Sequence, residues 1–235
     1  MGSEMCIRDS DTVDHEILLQ KLFYYGVRGC ALDWFQSYLC GRKQFVTYND
    51  VSSNTKNINC GVPQGSILGP LLFLIYINDL SKVCSYTTPI LFADDTNIFL
   101  NGTDLKQMQT TINEELSNIS KWLKANKLSL NVKKTHFMIF TRKKHIDSNI
   151  SLSIDGESID EVQKTKFLGV IIDKKLTWKE HIAFTSGKIS RGMGMVIKAR
   201  NFLNKNGLIT IHYSFIYPYL TYCNHIWGCT YKTNL

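Results

Sequence analysis

Two adjacent aspartates, Asp94 and Asp95, lie between two apolar runs at residues 90–92 and 97–100. This pattern predicts a β-hairpin with two carboxylates at its tip. Neighbouring carboxylates repel each other, and each is costly to desolvate unless it is paired. A divalent cation such as Mg²⁺, which prefers carboxylate oxygens, would remove both costs. Alone, however, such a pair is more often an ordinary solvated turn, so the surrounding sequence must decide.

A glycine-containing loop precedes the aspartates, at residues 61–70. Its glycines, Gly61, Gly65 and Gly69, would allow a ligand to approach the backbone closely. Gln64 adds an amide that can donate to, and accept from, a base or a sugar. The segment could therefore contact a ligand both through its backbone and through the Gln64 amide.

Basic residues are concentrated between positions 121 and 144, a span that contains no acidic residue. Such a cluster can be a solvated face, or it can follow a phosphate backbone. Arg42 and Lys43 are weaker candidates for the same role. The basic residues of the span are Lys121, Lys124, Lys127, Lys133, Lys134, Arg142, Lys143 and Lys144.

Composition limits the class of protein. The chain has 235 residues and a net charge of +7, which fits one large or two small domains with a moderate bias toward polyanions. The longest apolar run, residues 70–77, is shorter than the roughly 20 residues of a membrane-spanning helix. Seven scattered cysteines without a CxxC pair indicate free thiols in a reducing, intracellular location. Cys223, His225 and Cys229 match no familiar zinc spacing.

Periodicity predicts a mixed α+β fold with antiparallel strands, dividing near Asp173. Ser66 and Asp104 are placed to cap helices, and Gln107 could complete a capping box with Asp104. Helices are predicted at about residues 16–25, 31–39, 68–80, 104–124, 178–203 and 208–217. Strands are predicted at about residues 44–48, 58–62, 90–92, 97–100, 135–140, 150–154 and 167–172.

The order of these motifs resembles that of the reverse transcriptases of non-LTR (LINE-type) retrotransposons. Pro63-Gln64-Gly65, the run at residues 72–80 and Phe92-Ala93-Asp94-Asp95 follow one another as in that family. The resemblance extends from about Asp11 to the C-terminus. Further similar segments are residues 11–15, 34–39, 126–131, 167–170 and 176–182.

This resemblance implies a polymerase palm, an antiparallel sheet with packed helices, followed by a partial helical thumb. Residues 11–173 would be the palm, and residues 174–235 the primer-grip exit and the partial thumb. Residues 1–10 resemble nothing in the family and are expected to be an unrelated or artefactual leader. The fingers are expected to be missing, as in a truncated reading frame.

The resemblance also assigns roles within an RNA-directed DNA polymerase, whose partners are an RNA template, a DNA primer and deoxynucleoside triphosphates. Asp94 and Asp95 would be the catalytic residues and would ligate Mg²⁺ in a two-metal site. Lys133 competes with Lys134 for the nucleotide phosphates, and a purely structural strand pair fits the primer-grip residues nearly as well. The nucleotide- and template-binding residues would be Pro63, Gln64, Gly65 and Lys134, and the primer grip would be Phe167, Leu168 and Gly169.

The first palm motif departs from the family pattern, which reads approximately DLSKAFDTVDH. Aligning Asp11 with the later aspartate places the leading metal ligand at Met5, and a thioether cannot replace a hard carboxylate for Mg²⁺. Ser10 stands where an aromatic residue is usual, while Glu4 and Asp9 are out of register. We therefore expect an impaired polymerase. The alternatives are a catalytically dead nucleic-acid-binding fragment, or an unrelated two-metal phosphohydrolase, which would need further ordered ligands.

Overall fold

The computed structural model describes residues 2–4, 9–141 and 150–229, with side chains described from residue 11 onward. The chain forms two compact units. The first consists of Met1–Phe137 with Asp147–Asp160, and the second of Met138–Ile146 with Glu161–Leu235.

Helices occur in both units, and two short 3₁₀ helices, Asn78–Lys82 and Val132–Lys134, accompany them. The α-helices are α1 (Asp9–Thr12), α2 (His15–Tyr24), α3 (Cys30–Leu39), α4 (Leu68–Ile77), α5 (Leu105–Ala125), α6 (Lys179–Ala199), α7 (Lys205–Phe215), α8 (Tyr217–Thr221) and α9 (Asn224–Trp227).

All strands in the described ranges are short, with at most five residues each. They are β1 (Gly2–Glu4), β2 (Lys43–Gln44), β3 (Thr47–Tyr48), β4 (Val51–Ser52), β5 (Lys56–Asn57), β6 (Thr88–Phe92), β7 (Asp95–Phe99), β8 (His136–Phe137), β9 (Leu152–Ile154), β10 (Glu157–Glu161), β11 (Lys164–Phe167) and β12 (Val170–Asp173).

The largest sheet has six strands in the order β6-β7-β1-β8-β10-β9. Strand β1 lies antiparallel to β7, with Glu4 opposite Asp95, and antiparallel to β8, with Gly2 opposite His136. Three further antiparallel pairs, β2-β5, β3-β4 and β11-β12, lie outside this sheet. The predicted mixture of helices with antiparallel strands is confirmed.

Three predicted elements differ from the structure. The strand expected at residues 58–62 is wrong, since β5 ends at Asn57 and Cys60 forms only an isolated bridge with Asp14. The run at residues 167–172 is a turn and a strand rather than one strand, because Leu168 and Gly169 both adopt positive φ angles. The helix expected to reach residue 80 ends at Ile77 and continues as a 3₁₀ helix. The pattern of apolar residues alone does not indicate where these elements are interrupted or end.

The core of the first unit is built around Tyr76, which is 0% exposed. Its hydroxyl donates to the carbonyl oxygen of Asn126 at 2.6 Å and accepts from the backbone N–H of Asp14 at 3.4 Å. Burial raises the pKa of Tyr76 to about 12, so the phenol stays protonated and keeps its donor. One side chain thus connects α4 to the start of α2 and to the end of α5.

Lys21 extends this connection from α2. Its ammonium donates to the carbonyl oxygen of Tyr76 and to Asp79 Oδ1 at 2.7 Å. The rings of Tyr76 and Trp122 lie 4.7 and 4.9 Å from the Lys21 nitrogen. Burial lowers the pKa of Lys21, and the Asp79 carboxylate opposes that shift. The cost of removing the ammonium group from water is therefore offset by the carboxylate, the carbonyl oxygen and the two aromatic rings that surround it.

Glu115 is a second buried charged residue, 2% exposed on α5. Both of its carboxylate oxygens accept from the backbone N–H of Ser85 at 3.1 Å, and Oε2 also accepts from Thr87 Oγ1 at 2.7 Å. Strand β6 begins at the next residue, Thr88. Glu115 therefore fixes the point at which the chain enters the aspartate hairpin.

The second unit packs the β11-β12 hairpin against α6. His181, 4% exposed on α6, accepts at Nδ1 from the backbone N–H of Ile171 at 3.3 Å. At Gly192 a Cβ atom would lie 2.7 Å from Ile216 Cγ1, so α6 can approach the Ile216 region only without a side chain there. Among the residues that the structure describes, no helix combines the length and apolarity needed to cross a bilayer.

Replacing Glu115 by alanine should lower the free energy of unfolding by about 2–4 kcal/mol, because the buried Thr87 hydroxyl and the Ser85 N–H would both lose their acceptor. Urea unfolding followed by circular dichroism measures the change. Glu114→Ala is the matched control, since Glu114 is exposed on the same helix, and should shift stability by no more than about 0.5 kcal/mol. Equal losses in both variants would contradict the role given to Glu115.

Candidate functional site

The hairpin β6-β7 carries the two aspartates, as the two flanking apolar runs predict. Phe92 pairs with Asp95, so the connection is the two residues Ala93 and Asp94. Ala93 has a φ of 51°, a left-handed conformation that matches tight hairpin turns. Asp94 thus lies in the turn itself and Asp95 begins β7, and both are half-buried.

Carboxylates suit Mg²⁺, and the hairpin supplies two of them on consecutive residues. In the described part of the chain no three His, Cys, Asp or Glu side chains are grouped closely enough to hold a metal ion. Met5, the position expected to correspond to the leading ligand, lies outside the described residues. The carboxylate oxygens of Asp94 and Asp95 are therefore suitable Mg²⁺ ligands, but a complete metal site would need further ligands besides these two.

The Pro-Gln-Gly loop is fastened to the segment that precedes α2. The Gly61 N–H donates to the carbonyl oxygen of Val13 at 2.7 Å, and Gln64 Nε2 donates to Asp11 Oδ1 at 2.8 Å. Buried His15 donates from Nε2 to the Gly61 carbonyl oxygen at 2.8 Å, since a carbonyl can only accept. At Gly61, where φ is 84°, a Cβ atom would lie 2.6 Å from the Asp11 carbonyl oxygen. A side chain there would force the two segments apart.

The other end of the loop is closed by Ser66, which the sequence predicts as a helix cap. Its hydroxyl donates to the Pro63 carbonyl oxygen at 2.6 Å and accepts from the Gly69 N–H at 3.0 Å. Gly65, between them, is exposed with a φ of 75°. The loop is therefore anchored at both ends, and Gln64 and Gly65 are its exposed part.

Lys134 ends the 3₁₀ helix Val132–Lys134, and one residue, Thr135, separates it from β8. Because β8 and β7 flank β1, only one strand separates β8 from the aspartate hairpin in the sheet. Lys133 and Lys134 are both exposed, so the competition between them as phosphate ligands stays open.

Two lysines of the basic span have a structural partner that the sequence did not indicate. Lys127 pairs with Asp14, the residue that caps α2, and Lys124 pairs with Asp155 at 2.7 Å. Burial alone would raise the pKa of Asp14, but the hydrogen bond from Lys127, with those from backbone N–H groups, holds it below the usual range. Lys121 and Lys133 are exposed. The remaining members, Arg142, Lys143 and Lys144, lie outside the described residues.

The predicted primer-grip residues form the turn of the β11-β12 hairpin in the second unit. Leu168 and Gly169 have φ angles of 44° and 85°, between Phe167 and Val170, which pair with each other. The Tyr222 hydroxyl donates to the Leu168 carbonyl oxygen at 2.5 Å. A Cβ atom at Gly169 would lie 3.3 Å from the Tyr222 ring. Tyr222 therefore holds this turn through a contact between residues 54 positions apart, which no local sequence pattern indicates.

The hairpin with its paired aspartates and the anchored Pro-Gln-Gly loop are the two segments on which the resemblance to reverse transcriptases chiefly rests. A family model described as reverse transcriptase (RNA-dependent DNA polymerase) matches residues 11–172. The chain belongs to this reverse transcriptase family. The resemblance expected from the motif order is thereby confirmed.

Curated relatives come from insect retrotransposons. The chain is 28% identical over 243 residues to the "Probable RNA-directed DNA polymerase from transposon BS" of Drosophila melanogaster, covering 95% of this chain and 26% of that relative. It is 28% identical to the "RNA-directed DNA polymerase from mobile element jockey" of Drosophila funebris, covering 85% and 23%. A type-1 retrotransposable element R1 2 polyprotein of Nasonia vitripennis is 27% identical, covering 71% and 43%. The chain spans about a quarter of the length of the first two relatives.

Gly61→Ala should lower the free energy of unfolding by about 2–4 kcal/mol, because a methyl group would clash with the Asp11 backbone in addition to straining a positive φ. Chemical denaturation provides the measurement. Gly65→Ala is the matched control: its φ is also positive, but nothing lies within 4 Å of the added Cβ, so it should lose only about 1 kcal/mol. A loss at Gly61 no larger than that at Gly65 would refute the close docking of the loop.

Proposed function

We propose that the chain is the palm and thumb portion of an RNA-directed DNA polymerase of a non-LTR retrotransposon. Residues 11–173 would form the palm, and residues 174–235 the primer-grip exit and a partial helical thumb. The observation that carries the proposal is the Asp94–Asp95 hairpin, which sits in an antiparallel sheet inside the region matched by the family model.

Asp94 and Asp95 would hold Mg²⁺ at the hairpin turn, in a two-metal arrangement. A bound Mg²⁺ supplies positive charge that stabilises the attacking primer hydroxyl and the leaving pyrophosphate. The protein's own part is to hold the carboxylates in place. A two-residue turn leaves Asp94 little freedom, and Glu115 fixes the start of β6.

Gln64 would contact the incoming nucleotide or the template from the exposed part of its loop. Its Nε2 donates to Asp11, which orients the amide and leaves Oε1 as an acceptor for a base or sugar. Pro63 and Gly65 would shape that loop, and Lys134 would meet the nucleotide phosphates from beside β8. In the second unit, Phe167, Leu168 and Gly169 would support the primer terminus, with Tyr222 holding their turn.

Catalysis by this chain would be impaired, because Met5 stands where the family places its leading carboxylate and a thioether does not ligate Mg²⁺ well. Ser10 likewise replaces the usual aromatic side chain. The hypothesis of an unrelated two-metal phosphohydrolase finds no support, since the described residues contain no further group of metal-binding side chains.

A primer-extension assay on an RNA template with Mg²⁺ tests both the site and its defect. We expect extension near background for the unmodified chain and an increase of at least about a hundredfold for Met5→Asp, because a completed metal site supplies several kcal/mol of charge stabilisation. Adding Asp94→Ala to Met5→Asp should return extension to background. Robust extension by the unmodified chain that Asp94→Ala abolishes would overturn the claim that catalysis is impaired. Extension that Asp94→Ala leaves unchanged would overturn the assignment of Asp94 to the catalytic site.

The second candidate function is nucleic-acid binding without catalysis, favoured by the exposure of Lys121 and Lys133. Lys133→Gln should reduce the log–log salt dependence of duplex binding by about 0.9 for each phosphate that the lysine neutralises. Fluorescence anisotropy at several salt concentrations measures this slope. Lys124→Gln is the control and should leave the slope unchanged, since Lys124 already pairs with Asp155. Equal slopes for the wild type and Lys133→Gln would exclude Lys133 from the interface.

A further inference from the structure

The second unit contains a cavity of about 820 Å³ between the β11-β12 hairpin, α6 and the segment from α7 to Cys223. Its volume falls in the range of about 300–1,000 Å³ that is typical of small-molecule sites. Its lining includes Lys166, Lys188, Phe184, His181 and Tyr222, and contains no aspartate or glutamate. The cavity belongs to the second unit, and the aspartate hairpin belongs to the first unit.

Two lysines share one aromatic ring at this cavity. The Lys166 and Lys188 nitrogens lie 5.7 and 5.5 Å from the centroid of the Phe184 ring. Within the described ranges, neither lysine forms an ion pair with a carboxylate. The fold thus brings two ammonium groups to one ring, and no carboxylate of the described residues neutralises either of them. An anion bound beside the Phe184 ring would be attracted by both ammonium groups.

His181 adds a neutral polar group to the cavity wall. Because its Nδ1 accepts from the Ile171 N–H, the proton of the neutral ring is on Nε2. Burial lowers the pKa of His181, which favours this neutral form. The positive charge at the cavity therefore comes from Lys166 and Lys188 alone among the lining residues.

The rest of the lining suits a flat ring and a sugar. Tyr222 is held in place at both ends, by its hydroxyl bond to Leu168 and by the Trp227 indole N–H, which donates to its carbonyl oxygen at 2.8 Å. Hydroxyl groups of Thr185, Ser214 and Thr221 also line the space. Rigid aromatic faces stack on planar ligands, and hydroxyls can bond to a ribose.

We propose that this cavity binds a free nucleotide, with its phosphate between Lys166 and Lys188 and its base against the aromatic wall. No metal ion is needed, since the two ammonium groups supply the positive charge. Inorganic phosphate would fill only a small part of 820 Å³, so the base should add affinity. The ligand class is therefore a nucleoside phosphate, bound within the second unit at a cavity that Gly169 of the proposed primer grip also lines.

Isothermal titration of the whole chain with AMP, adenosine and inorganic phosphate, in buffer with EDTA, tests the proposal. EDTA removes any metal-dependent nucleotide binding at Asp94 and Asp95. A lack of AMP binding in EDTA would therefore overturn the cavity proposal without affecting the polymerase proposal, which primer extension tests separately. We expect one AMP per chain, with inorganic phosphate and adenosine each at least about tenfold weaker. Lys166→Gln and Lys188→Gln should each weaken AMP binding by about tenfold, because each removes a charge-assisted contact. Asp94→Ala should bind AMP like the wild type.

Lys198→Gln is the matched control, because Lys198 lies at the end of α6 and does not line the cavity. Equal loss of AMP affinity in Lys198→Gln and Lys188→Gln would show general attraction to a basic protein and overturn the proposal. So would a short single-stranded oligonucleotide that binds through Lys166 and Lys188 and is not displaced by AMP. In the unsubstituted chain, AMP must shift the Phe184 ring resonances in NMR spectra; unshifted resonances would refute the site without reliance on any variant.

Discussion

Burial of the Tyr76 hydroxyl and the Lys21 ammonium is the constraint on which the first unit depends. A polar group that leaves water must find partners within the fold, or it costs several kcal/mol. Tyr76 finds them in Asn126 and Asp14, and Lys21 finds Asp79 and the Tyr76 carbonyl oxygen. These bonds leave each partner little freedom to move, so α2, α4 and α5 assemble as one body rather than as separate amphipathic helices.

The same principle operates around the aspartate hairpin. Two adjacent carboxylates favour a spread, solvated arrangement, yet the turn keeps them together at half-exposure. Glu115 accepts a hydrogen bond from Thr87, directly before β6, and β1 pairs with β7. The chemistry that the hairpin can support therefore depends on buried groups that never touch a substrate. Substitutions of those supporting groups would therefore also disturb the geometry of the hairpin.

Local regularities were readable from the sequence, and long-range pairings were not. The steps of three and four residues in α5, and the apolar runs around Asp94 and Asp95, predicted those elements because each depends on neighbours in the chain. The bond from Lys127 to Asp14 joins residues 113 positions apart. Lys127 was therefore grouped with the basic span, although its charge serves the cap of α2. The turn at Leu168 was missed for a similar reason, since Tyr222 stabilises it from 54 residues away.

Ala93 adopts a left-handed conformation at the turn between the two strands of the aspartate hairpin. Glycine is the residue that enters this region without steric cost, so alanine here stores about 1 kcal/mol of strain. In return, its methyl group excludes many of the conformations that glycine would sample. The turn thus exchanges some stability for stiffness, and the spacing of Asp94 and Asp95 is set by the backbone before any ligand arrives. A glycine in this turn would sample more backbone conformations, and binding of a ligand would then carry the entropic cost of restricting them.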